Sequence, residues 1–253
     1  MRTFVRGLVR VAAAGIMVAS GFAPAGAQAP AVSVAPAAKR PTGVHYLYLI
    51  RHGMYDNDST VTDDAKGNRL NALGHEQAAL VGRRIAELPV KVRSFVASPY
   101  LRALETAQDM GREMKRMPVV DTLLHECTPR FESRPNYSRI ASDAEMLACE
   151  ANLEAAFTKY FVPTPETDTY DVLVAHGNVI RWLLCKSLGL DPLLWRRFTI
   201  GNCSITAFAV SPDGMIRLAT YSDTGHIPVD KQTWTGKGAG WMVPVKAVKA
   251  GSR

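Results

Sequence analysis

The sequence predicts an α/β fold. The expected form is a three-layer sandwich, with a mostly parallel central sheet flanked by helices and an antiparallel hairpin near the C-terminus. Three observations carry this. Short apolar runs at residues 44–50, 92–97 and 170–175 read as buried strands. Each is followed by a stretch of helical periodicity, the alternation typical of a parallel sheet whose crossover helices cover its faces. Two of the runs also end alike, in Arg51-His52-Gly53 and in His176-Gly177.

Size and composition bound the function. The chain has 253 residues, nearly half of them apolar, enough to bury one sizeable core. Its net charge of +7 includes Arg2, Arg6 and Arg10 and falls to +4 without them, a mild excess suited to anions. There is no dense basic stripe interleaved with aromatics, so a nucleic-acid partner is not expected. Cys127, Cys149, Cys185 and Cys203 form no C-x-x-C pair and no metal-type spacing with histidine. They read as buried small hydrophobes or as a disulfide of undetermined pairing. Neither a cofactor nor a metal is expected.

Residues 1–27 read as a secretory signal: a basic n-region, an apolar stretch at 11–18 too short to span a bilayer comfortably, and Ala25-Gly26-Ala27 before a cut at Gln28. The destination so implied is periplasmic or secreted. The same Arg-rich, acid-free composition also suits a mitochondrial transit peptide or an uncleaved membrane anchor. An Ala/Pro-rich linker follows at 28–42, then a single domain at 43–235 and a flexible tail at 236–253.

Within the domain, strand 44–50 leads into a polar loop at 54–69. Its aspartates, Asp56, Asp58, Asp63 and Asp64, lack the spacing of a calcium loop. A helix is expected at 73–88, with Leu73, Gln77, Leu80, Val81, Ile85 and Leu88 inward. After strand 92–97 a helix runs from 101 to 114, with Leu104, Ala107, Gln108 and Met110 inward. Arg102 falls in its first turn, where a cation opposes the helix dipole; that cost suggests a residue kept for an anion. A short strand at 119–121 precedes a loop holding Glu126. Helix 144–160, strand 170–175 and helix 179–188 follow. Ser211-Pro212-Asp213-Gly214 then joins two antiparallel strands at 204–210 and 215–220.

In open α/β sheets, chemistry collects beyond the carboxyl ends of the strands. His52 and His176 should therefore share one edge with Arg51 and Arg102, forming a pocket for a dianion. Guanidinium groups match phosphate oxygens, and the helix start at Gly177 adds backbone N–H donors. An imidazole can be a covalent nucleophile, and Glu126 can protonate a leaving oxygen if burial raises its pKa. His45, His75 and His125 read as surface or packing residues, and His226 as a lesser candidate for the site. Asn178 and Asn202 are candidates to orient His176 or to cap a helix. Trp182 and Trp195 read as core, and Cys203 as a neighbour of the pocket.

This pattern resembles the histidine phosphatase superfamily, the phosphoglycerate mutase-like enzymes. Arg51-His52-Gly53 matches its signature triplet, and residues 73–78 its Gly-x-x-Gln-Ala helix start. Ser98-Pro99 with Arg102-Ala103-x-Glu105-Thr106-Ala107 matches its second arginine motif, and His176-Gly177 its second histidine. The resemblance implies that His52 is phosphorylated, that Arg51, Arg102 and Gly177 hold the phosphate, and that His176 and Glu126 complete the site. Segments 153–157, 176–181, 202–206 and 223–231 are more similar still to the mitochondrial protein Ser/Thr phosphatases of the phosphoglycerate-mutase family (the member 5 type). That likeness implies a metal-independent phosphatase acting on phosphomonoesters, with phosphoproteins among its partners, and it leaves a membrane association or an oligomer open. Two features depart from the subgroup: Gly53 stands where serine is common, and the Ala/Pro linker replaces an oligomerisation segment. The alternatives are a phosphoglycerate-type mutase and a non-catalytic module that binds phospho-ligands. An acid phosphatase would continue the triplet with x-Arg-x-Pro, where this chain has Met54-Tyr55-Asp56.

Overall fold

The computed structural model describes residues 42–234, except 57, 59, 61–66, 133–140 and 165. The segments at 1–27, 28–41 and 236–253 and the loop aspartates Asp63 and Asp64 lie outside the described residues. Six strands form one sheet: β1 (His45–Arg51), β2 (Val92–Ala97), β3 (Val119–Val120), β4 (Thr169–Ala175), β5 (Ile205–Val210) and β6 (Ile216–Asp223). Their spatial order is β3-β2-β4-β1-β5-β6. The first four run parallel. β5 and β6 are antiparallel, as expected, and join the sheet beside β1.

Helices cover both faces. α1 (Ala72–Ala86) and α2 (Leu101–Met114) pack through Ala78, Val81, Ile85, Ala103, Ala107 and Met110 against Ile50, Phe95 and Val172. On the other face α3 (Asp143–Tyr160) and α4 (Gly177–Ser187) bury Leu153, Ala156, Ile180 and Trp182 against Leu47, Leu49, Leu173 and Phe208. Each such aliphatic side chain contributes roughly 1.5–3 kcal/mol through burial. α3 starts at a capping box: Ser142 Oγ accepts from the Glu145 amide, and Glu145 reaches back to Ser142. Trp182 and Trp195 are core residues, 2% and 3% exposed.

The inward faces of α1 and α2 differ from the apolar periodicity. Leu73, Leu80, Leu104 and Gln108 are only partly buried, while Glu105 and Asp109 are buried. Each acid is neutralised locally. Glu105 binds the Arg69 side chain and the Leu70 amide, and Asp109 binds His75 and Arg112. Gly82 permits close approach of the two helices, since a Cβ there would meet the Met110 Cα at 2.7 Å. α4 begins at Gly177, two residues earlier than periodicity suggested, because His176 itself takes the N-cap position.

His45 sits at the far end of β1, 1% exposed. Its Nδ1 bonds the Val162 carbonyl at 2.8 Å and its Nε2 the Asp171 carboxylate at 2.9 Å. Cys127 and Cys149 form a disulfide between the loop after Leu124 and α3, whereas Cys185 and Cys203 are free and buried. Among the described residues no helix is long and apolar enough to cross a membrane.

Candidate active site

Register alone brings the two histidines together. In the parallel β1–β4 pair Arg51 lies opposite Ala175. The next residues along the two strands are His52 and His176, and their ring centroids stand 5.2 Å apart. The ladder runs on one step past the strands: the His52 amide donates to the Ala175 carbonyl at 3.0 Å, and the Ser98 amide to that of Val174 at 2.9 Å. β2, paired beside β4, thereby delivers Ser98 to His176. The carboxyl edge of the sheet is where these groups meet, as expected for an open α/β sheet.

Tautomers follow from the partners. His52 Nδ1 lies 2.8 Å from the Gly53 carbonyl, which can only accept, so Nδ1 carries the hydrogen and the Nε2 lone pair is left for chemistry. His176 Nε2 lies 2.7 Å from Ser98 Oγ, which also accepts from the Tyr100 amide at 3.3 Å. With the Ser98 hydroxyl donating to Nε2, the His176 proton sits on Nδ1. That buried atom has no hydrogen-bond partner among the described residues. Both imidazoles are held well below the ordinary histidine pKa. For His52 the causes are burial, then Arg51 and Arg102, with the Gly53 bond opposing. For His176 they are burial, then His52, Arg102, Arg51 and His125. Both rings are therefore neutral at physiological pH.

Arg51 and Arg102 are 7% and 3% exposed. Arg51 Nη1 donates to the Ile200 carbonyl at 2.7 Å, while its Nε is buried without a partner among the described residues. Burial, then the Arg181 charge, lowers its pKa to about 10, with Glu126 opposing. Gly177 lies beside this guanidinium, and a Cβ there would make ordinary contact with Arg51 Nε at 3.4 Å. Arg102 lies under the rings of Tyr55 and Tyr100, at 5.1 and 5.5 Å. One turn on, Thr106 accepts from the Gly53 amide at 2.9 Å and donates to the Arg102 carbonyl, fastening α2 to the signature loop.

Glu126 joins this group. Its Oε1 is buried and has no partner among the described residues, while the Asn178 backbone amide draws its pKa down slightly. Burial raises its pKa from 4.5 to about 7, against the lowering pull of Arg102, Arg181 and Arg51. The site thus holds a neutral imidazole with a free nitrogen lone pair, two buried guanidiniums and a carboxylic acid that titrates near neutrality. That set can bind a phosphoryl dianion, attack it and protonate a leaving oxygen.

Other expectations resolve differently. Asn202 does not orient His176. Its Nδ2 donates to the His52 carbonyl at 3.0 Å. Asn178 does not orient it either; its side chain reaches the Cys127 carbonyl at 2.9 Å. Cys203, at φ +50°, donates its amide to the carbonyls of Arg51 and His52. His226 reaches only the Cys203 carbonyl, at 3.0 Å, and so stands behind the site. His75 pairs with Asp109 and His125 with the Thr122 carbonyl. Gly53 packs against Gly74, whose carbonyl a Cβ would meet at 2.6 Å, so its small size serves the loop contact. Reading the sequence did not single out Tyr55, Tyr100 or Arg181. The available signal was position: two aromatics just beyond strand ends, and an arginine one turn after the second His-Gly.

Comparison with known proteins places the chain. The model of the histidine phosphatase superfamily (branch 1) matches residues 47–154 and 129–224. The chain belongs to that superfamily and is a phosphoric monoester hydrolase of the histidine phosphatase class, whose substrate is phosphorylated. The mitochondrial Ser/Thr-protein phosphatase Pgam5 of Caenorhabditis elegans is 33% identical over 207 residues, 78% of this chain and 69% of the relative. Human mitochondrial PGAM5 is 36% identical over 193 residues, 74% of this chain and 65% of the relative. The chain thus spans about two thirds of the length of these relatives. Among solved structures, Plasmodium falciparum phosphoglycerate mutase aligns with a TM-score of 0.52 at 23% identity, over 74% of this chain and 96% of its own. A phosphoserine phosphatase of Entamoeba histolytica aligns at 0.56 and 22%, over 73% and 100%. These two share the fold.

The relatives also correct the expected destination. They carry the word mitochondrial in their names, which overturns the reading of residues 1–27 as a secretory signal leading to the periplasm or outside. Basic, acid-free, partly apolar leaders serve both addresses, and composition alone did not separate them.

Proposed function

We propose that this protein hydrolyses phosphoserine and phosphothreonine in proteins through a phospho-His52 intermediate, without a metal. The observation that carries the mechanism is the register-set pair of neutral imidazoles beside two buried arginines and an acid near pKa 7. Arg51, Arg102 and the start of α4 at Gly177 bind the phosphoryl oxygens. His52 Nε2 attacks phosphorus in line, the ester P–O bond breaks, and Glu126 gives its proton to the departing oxygen. His176 Nδ1–H stabilises the transferred group. Water then attacks the phospho-imidazole; Glu126 takes its proton, the P–N bond breaks, and inorganic phosphate and neutral His52 return. Support for a phosphoprotein substrate comes from the names of the relatives. The same names favour a mitochondrial address for the leader.

The test compares two leaving groups in the presence of a chelator. Serine leaves phosphoserine as an alkoxide and needs an acid, whereas para-nitrophenolate leaves its ester unaided. His52→Ala should abolish turnover of both. Glu126→Gln should slow the first half-reaction, phosphoryl transfer from phosphoserine to His52, by about 10²–10⁴-fold while sparing the first-turnover burst from the aryl ester. It should slow the later water step for both. Full activity of His52→Ala, or equal losses in the first-turnover rate on both substrates in Glu126→Gln, refutes the assignment. Phosphoryl transfer to phosphoglycerate with little phosphate release would identify a mutase instead.

A further inference from the structure

Arg181 lies one turn into α4 and has no part in the steps above. It is 7% exposed, and among the described residues no carboxylate lies within ion-pair distance of it. Its guanidinium is ordered by neutral partners. Nε donates to the Gly177 carbonyl at 2.9 Å, Nη1 to the Phe198 carbonyl at 3.1 Å and Nη2 to Asn178 Oδ1 at 2.7 Å. The indole of Trp195 covers the plane at 4.6 Å. Burying a cation without a counter-charge is expensive, and hydrogen bonds to carbonyls and an amide do not demand one. The charge needs a reason, and the nearest is the other end of the same strap. Asn178, held by Arg181, donates through its side chain to the carbonyl of Cys127, the residue after Glu126.

The geometry points to Arg181 as a positioning residue that fixes the Glu126–Cys127 segment through Asn178 and whose charge favours the Glu126 carboxylate once its proton has left. This rests on Glu126 being the proton donor. The groups facing Glu126 are Arg102 from α2, Arg51 from β1, and Arg181 with the Asn178 amide from α4. Those facing Arg181 are Glu126, Tyr221 from β6, Arg196 from the turn after α4, and Cys185 of its own helix. Burial pushes the Glu126 carboxyl up, and the three cations pull it down. Neutralising Arg181 leaves burial less opposed, so the carboxyl should hold its proton to higher pH.

The experiment follows phosphate release from phosphoserine and the pH dependence of kcat/KM in the full-length protein. It compares wild type, Glu126→Gln, Arg181→Gln and Arg181→Lys, with thermal melts of each. The wild-type profile should fall above about pH 7, and that basic limb should vanish in Glu126→Gln. In Arg181→Gln the limb should move up by about one pH unit. In Arg181→Lys it should stay near the wild-type position while kcat drops several-fold, since an ammonium keeps the charge but cannot hold three acceptors in one plane. A folded Arg181→Gln that loses activity equally at every pH overturns the inference. So does an Arg181→Lys limb displaced by a pH unit, and this variant decides the matter if the glutamine protein does not fold. A limb that survives in Glu126→Gln overturns both the inference and the acid assignment beneath it.

Discussion

Replacing Glu126 with glutamine should stabilise the protein, by an amount that grows as pH rises from about 4.5 to 7. The carboxyl titrates at about 7 in the fold against an ordinary 4.5. A folded-state pKa raised in this way means that the folded chain prefers the protonated acid. Below pH 4.5 both states are protonated and Glu126 costs little. Between 4.5 and about 7 the unfolded chain ionises and the folded one does not, so stability falls as pH rises. Above about 7 the full penalty is present. At roughly 1.4 kcal/mol per pH unit it reaches about 3 kcal/mol. Glutamine has nearly the same shape and cannot ionise, so the variant escapes this penalty, less whatever its own buried amide loses. Urea unfolding in phosphate-free buffer is the assay, since bound phosphate would add its own stabilisation. The gap between variant and wild type should widen by about 2.5 kcal/mol from pH 5 to pH 8. An unchanged gap at the two pH values would show that the Glu126 carboxyl is not perturbed, and the argument for a proton held at neutrality would fail. Loss of turnover together with gain of stability is the signature of a group kept for chemistry.

Three other perturbations probe the scaffold and the anion site. Cys127→Ser with Cys149→Ser opens a bridge spanning 22 residues, which should cost about 3 kcal/mol and lower the melting temperature; an unchanged melt would show that the bridge adds no stability. Because Cys127 follows Glu126 directly, the same variant should lose more activity on phosphoserine than on an aryl phosphate. Gly53→Ser places a Cβ 2.6 Å from the Gly74 carbonyl and should destabilise by about 1–3 kcal/mol, read by chemical unfolding; wild-type stability would mean that the loop moves freely away. Arg102→Lys keeps a charge but loses the planar fork, and kcat/KM for phosphoserine should fall at least about tenfold, measured by steady-state kinetics; an unaltered value would remove Arg102 from the phosphate site.

The parts of the site legible in the sequence were those governed by strand grammar. Apolar runs ending in His-Gly located His52 and His176, because parallel neighbours in a sheet end at one edge. Arg102 showed itself by opposing a helix dipole. Hidden were the features set by polar pairing across long separations. The burial of Glu105 and Asp109 depends on Arg69, His75 and Arg112, which an apolar periodicity does not count. Pairing of Cys127 with Cys149 depends on how α3 lies against the loop, which spacing does not encode. Asn202 acts on the His52 carbonyl because β5 runs antiparallel beside β1, bringing the residues before β5 to the site edge. Arg181 reads in sequence as one more basic residue on a helix, and only its burial marks it out.

That last strand also ties hydrolysis to distant parts of the chain. Asn202 is 150 residues from His52 and Ile200 is 149 from Arg51, yet both hold the signature loop. Contacts this distant pay a loop-closure entropy that local pairs do not. A chain that ends before Ile200 lacks both the Ile200 carbonyl that holds Arg51 and the Asn202 side chain that holds the His52 carbonyl. The active arrangement of Arg51 and His52 therefore depends on residues that reach the site edge only with β5 in place.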